Sequence, residues 1–129
     1  MNTHLSMYLF EFSGADPYII CMGHVYLIHE PSTDNYKIGV TTGSIEKRMK
    51  KLQTGNSSEL ILSNSYECEY PFKLEMMLHN YFRNKKVLNE WYALDRQDLG
   101  AFTSICETLD KNIHALKDNP FFFRHKKLN

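Results

Sequence analysis

The stretch GHVYLIHEPSTDNYKIGV, Gly23 to Val40, sets two runs rich in β-branched and aromatic side chains around a polar segment, EPSTDN. Pro31, Ser32, Asp34 and Asn35 supply turn chemistry, so HVYLIHE and YKIGVT read as an antiparallel hairpin. Side chains alternate faces along a strand, which places Tyr26 with Ile28 and Lys37 with Gly39. With His29 to Asp34 as the loop, Tyr26 pairs across the hairpin with Lys37, and Ile28 with Asn35. A phenol beside an ammonium group loses proton affinity, which moves it from about 10 toward the range of a usable base. Taken alone, such a pair is ordinary sheet packing, and its meaning depends on what the rest of the chain adds.

Downstream, TTGSIEKRMKKLQTGN reads as a helix capped by Thr42 or Ser44, with the stripe Ile45, Met49, Leu52 and an end at Gly55. ELILSNSYECE suits a third strand. YPFKLEMMLHNYFRNKK reads as a helix with Pro71 in its first turn and Leu74, Met77, Leu78, Tyr81 and Phe82 along one stripe. EWYAL is a short strand or extended segment. Asp95 caps a last helix whose stripe is Leu99, Phe102, Ile105, Cys106, Leu109, Ile113 and Leu116. MYLFEF, near the start, alternates weakly and reads as an extra strand. The expected fold is a small α/β (α+β) single domain, a three-stranded antiparallel sheet flanked by helices. Its parts are an N-terminal extension (1–22), a core (23–95), and a C-terminal helix with a basic tail packing on that core (96–129).

With 129 residues, 43% hydrophobic and 23% charged, the chain has the make-up of one folded domain and not of a disordered segment. Fifteen basic residues balance fifteen acidic ones, so affinity for nucleic acid has to come from local patches. Three widely spaced cysteines without a CxxC argue against a zinc ribbon or a disulfide framework. Glu11 and Asp16 interrupt the apolar residues of the N-terminal stretch, which has no basic leader. The expected protein is therefore soluble and intracellular (cytoplasmic, or nuclear in a eukaryotic host), with no membrane partner.

Two further features carry chemistry. From Ile45 to Leu52 one glutamate faces four basic residues, a formal +3 on a helix that includes Lys47, Arg48 and Lys51 and suits a phosphate backbone. In KLEMMLHNYF, Glu75 and His79 are four apart and share a helix face, where a carboxylate is a suitable hard ligand for Mg²⁺. Each has a plainer reading, as a solvated basic face or a surface pair.

Their order along the chain is more telling than any one of them. VYLI, YKIGVTTGSIEKRMKKL, LEMMLHNYF and NEWYAL together resemble the GIY-YIG nuclease superfamily, in its short branch common in phages and other viruses. The resemblance runs from about Gly23 to Leu94. It implies a DNA endonuclease with Tyr26, Lys37, Arg48 and His79 as catalytic residues and Glu75 as the ligand of Mg²⁺ or Mn²⁺. By the same resemblance Tyr26, as phenolate or through a water it activates, serves as base or positions the nucleophile. Arg48 binds the scissile phosphate, and Gly39, Lys47 and Lys51 line the substrate.

Two departures stand out. His24 takes the glycine place of the first motif, and Lys37 takes a tyrosine place in the second. Tyr36 falls on the opposite strand face and cannot replace that tyrosine, whereas a cation at 37 depresses the pKa of Tyr26. The late polar residue of other members falls on Asn89. Glu90 reads as a cap or a partner for a basic residue, and Trp91 and Tyr92 as packing. The tail FFFRHKK extends a DNA-binding surface or is solvated. The competing reading is a catalytically silent module that binds nucleic acid or protein on the same scaffold. RNA as substrate, and monomer against homodimer, stay open.

Overall fold

The computed structural model describes residues 17–118. The strand expected in MYLFEF and the FFFRHKK tail lie outside them. The strands are β1 (Gly23–Glu30), β2 (Asn35–Thr41), β3 (Ile61–Cys68), β4 (Lys86–Leu88) and β5 (Trp91–Tyr92). They form one sheet in the order β3-β1-β2-β5-β4, with every neighbouring pair antiparallel. The helices are α1 (Ile45–Thr54), α2 (Pro71–Tyr81) and α3 (Arg96–Lys117).

The sheet therefore has five strands, against the three expected. The α+β class stands, and the two additions are both short. β5 joins β2 through Tyr36↔Tyr92 and Lys37↔Trp91, and β4 then folds back onto β5. All three residues of β4 are exposed, so it has no apolar alternation to announce it. Asn89, with φ 54, takes the left-handed backbone of the tight turn between them, a conformation asparagine tolerates better than most residues.

Both faces of the sheet are covered. Val25, Leu27, Tyr36 and Ile38 pack with Leu74 and Leu78 of α2 and with Phe102, Cys106 and Ile113 of α3. On the other face Tyr26, Ile28 and Leu60 pack with Ile45, Met49 and Leu52 of α1 and with Trp91. This two-sided burial explains why VYLI reads as an unbroken apolar run in β1. The chain is thus layered as α1, sheet, then α2 with α3. Each large aliphatic side chain sealed inside contributes on the order of 1.5–3 kcal/mol.

Local signals set the helix ends. Ser44 caps α1 by accepting a hydrogen bond from the Lys47 N–H, and Gly55 ends it. Pro71 occupies the first turn of α2, where its missing N–H costs nothing. Asp95 and Asp98 form a reciprocal capping box on α3, and Lys85 reaches both carboxylates. Two stripe residues depart from expectation: Tyr81 at the end of α2 and Leu116 near the end of α3 are exposed. Cys21, Cys68 and Cys106 are free thiols, and no helix among the described residues is long and apolar enough to cross a membrane.

Leu74 is fully buried between α2 and the sheet. Leu74→Ala is expected to lower stability by about 2–5 kcal/mol, read as a drop in the urea midpoint at unchanged slope.

Candidate active site

The hairpin places the first group of polar residues. β1 continues through Glu30, and residues 31–34 alone make the turn, closed by the Asp34 N–H donating to the Glu30 carbonyl at 2.8 Å. Asp34 adopts φ 58, which aspartate tolerates in a turn. The observed pairs are Tyr26↔Gly39 and Ile28↔Lys37. This corrects the expected Tyr26–Lys37 pairing, because a turn two residues shorter slides the register by two. An even slide preserves parity, so Tyr26, Ile28, Lys37 and Gly39 still share a face. Tyr36 lies on the other face, in the main core, with its ring stacked on His29.

Gly39 is required by space. A Cβ there would lie closer than 3.0 Å to Cε1, Cζ and Oη of Tyr26, nearer than packed carbon atoms approach. The missing side chain is the slot into which the Tyr26 ring tip fits. Gly23 serves a similar end at the start of β1, since a Cβ there would meet Pro71 Cγ at 2.8 Å and the Thr41 carbonyl at 2.9 Å.

Electrostatics at this slot differ from the sequence expectation. Burial raises the Tyr26 phenol well above its ordinary value of 10; Arg48 pulls it down, and Glu90 and Glu75 push it up further. The net movement is upward, and the cation acting on Tyr26 is Arg48 in place of Lys37. Lys37 is itself buried, at 6% exposure, and burial lowers its pKa, with Glu90 raising it, Arg48 lowering it and Glu75 raising it. Its Nζ lies 3.9 Å from Glu90 Oε2, an ion pair too long to be a good hydrogen bond. Tyr26 and Lys37 therefore both feel the charges of Arg48, Glu75 and Glu90.

The second group comes from α2 and the β4–β5 turn. One helical turn brings Glu75 Oε2 to 3.6 Å from His79 Nε2. His79 Nδ1 hydrogen-bonds the Tyr92 hydroxyl at 2.6 Å, and burial first, then Glu90 and Glu75, push that phenol up to about 12. His79 Nε2 is buried with no hydrogen-bond partner among the described residues. The Ile38 N–H donates to the Glu90 carbonyl at 3.2 Å, which ties the turn to β2. One donor atom each from Glu75, His79 and Glu90 lies within 4.8 Å of the others. Two buried carboxylates and an orphaned imidazole nitrogen form a donor set that fits a divalent cation.

Glu90, read from the sequence as a cap or a partner for a basic residue, does pair with the basic Lys37, and it also stands near Glu75 and His79. Its signal was an acidic residue directly ahead of Trp91 and Tyr92, the strand that closes on β2. Lys47 and Lys51 are exposed on α1 and are not part of the buried cluster, while Arg48, half-buried, is in electrostatic reach of it.

The chain belongs to the T5orf172 domain family, whose profile matches residues 23–107, more than half of its length. This is a phage-associated, nuclease-like domain, related to GIY-YIG and HNH-type endonucleases. The match runs from the start of β1 into α3 and includes every residue of the cluster. Neither the curated proteins nor the solved structures gave a significant match.

Gly39→Ala is expected to force the Tyr26 ring from its slot and to lower stability by about 1–3 kcal/mol. Thermal melts of Gly39→Ala, Tyr26→Ala and the double variant measure the coupling. A double variant no less stable than Tyr26→Ala alone is the expected signature of that single clash.

Proposed function

We propose that the chain is a metal-dependent DNA endonuclease that hydrolyses phosphodiester bonds through a GIY-YIG-type site. The observation that carries this reading is the convergence of Tyr26, Lys37, Arg48 and Glu75, from two strands and two helices, on one buried cluster beside a donor set fit for a divalent ion. Family membership supports the nuclease class.

The residues divide the work by their chemistry. Arg48 is the permanent cation and binds the scissile phosphate, offsetting charge that develops in the transition state. Tyr26, with its phenol held protonated at neutral pH by burial, orients the attacking water through its hydroxyl; of the two roles its position allows, this one suits the raised pKa. Lys37, held beside Glu90, donates to a phosphate oxygen on the Tyr26 face. Glu75 would hold the divalent ion, with His79 next to it on α2. When bound, that ion supplies Lewis-acid stabilisation of the phosphate and its leaving oxygen. Lys47 and Lys51, exposed one turn apart on α1, extend the basic surface along which the nucleic-acid backbone lies.

The test is cleavage of single-stranded, duplex and branched DNA by the purified chain with Mg²⁺ or Mn²⁺. Tyr26→Phe, Arg48→Ala and Glu75→Gln are each expected to lower the rate by about 10²-fold or more with the circular-dichroism spectrum unchanged. No cleavage of any substrate with either metal sinks the reading, and salt-dependent DNA binding without cleavage would point to a silent binding module.

A further inference from the structure

The same cluster says more about which metal it takes. We propose that Glu90 and His79 join Glu75 as donors, making a three-donor site that holds a first-row transition-metal ion of the Mn²⁺ class in preference to Mg²⁺. This rests on the nuclease reading for its purpose but not for its evidence, which is geometry and charge.

Three observations converge. First, the carboxylates of Glu75 and Glu90 come from different elements, their side chains are each 4% exposed, and they sit near each other. Two like charges buried near each other repel, and a cation bound by both relieves that repulsion. Second, His79 Nε2 is shut off from water and has no hydrogen-bond partner among the described residues. A buried nitrogen left without a partner is costly, and a metal bond removes that cost. Third, Tyr92 holds the far side of the same ring. In the tautomer whose Nδ1–H donates to the Tyr92 oxygen, Nε2 offers its lone pair on the Glu75 side. This is the outer-shell arrangement that fixes a metal-binding imidazole in the correct tautomer.

Dimensions agree with the assignment. Adjacent ligands of an ion bound at about 2.1 Å stand about 3 Å apart. Glu75 Oε2 and His79 Nε2 are at 3.6 Å already, and the whole set spans no more than 4.8 Å. Magnesium favours oxygen donors and retains waters, whereas an imidazole donor selects for first-row transition ions. The nitrogen donor is thus what sets the preference.

The experiment uses the full chain, stripped of metal and free of DNA. Mn²⁺ is titrated while the signal of the free ion is followed by electron paramagnetic resonance, and the bound ion is examined by pulsed methods for coupling to ¹⁴N. The expected result is one bound Mn²⁺ with a nitrogen coupling, displaced by Mg²⁺ only at concentrations at least about tenfold higher. His79→Gln removes the coupling, and Glu90→Gln weakens binding by about tenfold or more. Tyr92→Phe keeps the coupling and weakens binding by about 10–100-fold. Melting curves check that each variant folds; should Glu90→Gln fail to, the coupling and the Mn²⁺ preference of the unaltered chain still decide. No Mn²⁺ uptake, a bound ion without nitrogen coupling, or unchanged affinity in Glu90→Gln each overturns the proposal. Cleavage that needs Glu75 but survives Glu90→Gln would remove the three-donor site and leave the nuclease reading standing.

Discussion

The register Tyr26↔Gly39 is the constraint on which the rest of the cluster depends. A slide of two residues keeps every side chain on its face, so hydrophobic patterning alone does not choose between registers. The slot above Gly39 does, because it is the position on β2 that leaves room for the Tyr26 ring. With that pair fixed, Lys37 falls opposite Ile28 and beside β5, within reach of Glu90. Arg48 and Glu75 come from helices that pack on the two faces of the sheet this pair belongs to.

Burial then sets the chemistry. Desolvation is the largest influence on both Tyr26 and Lys37, and it acts in opposite directions on the two, raising the phenol and lowering the ammonium. Both shifts favour the neutral form. Arg48, whose guanidinium stays charged, is the permanent cation near them. α1 is responsible for the burial, since its stripe of Ile45, Met49 and Leu52 covers the face that would otherwise be wet.

Much of this was legible in the residues, and what was not has a physical cause. The hairpin, the Ser44 and Asp95 caps, Gly55 and Pro71 are local signals read within a few positions, and each sits where the sequence puts it. Register was missed because it follows from turn length, and the polar segment EPSTDN gives no sharp sign of where β1 stops. β4 was missed because three exposed residues become a strand only by pairing with β5. The raised Tyr26 phenol was missed because parity tells which residues share a face and not whether a helix covers it. The reading of Glu90 as a partner for a basic residue holds in its pair with Lys37, whereas its nearness to Glu75 and His79, fifteen and eleven positions away along the chain, is set by the fold alone.

The closure of β5 onto β2 has a consequence for the order in which the protein is made. The first residue of the cluster is 26 and the last acidic one is 90, and the strand that delivers Glu90 pairs through only two residues with β2. A chain still emerging from the ribosome can form the β1–β2 hairpin and α1 early, yet it has no complete donor set until the turn at Asn89 has been synthesised and docked. A copy that stops short of Asn89 thus carries the hairpin without the full set of Glu75, His79 and Glu90.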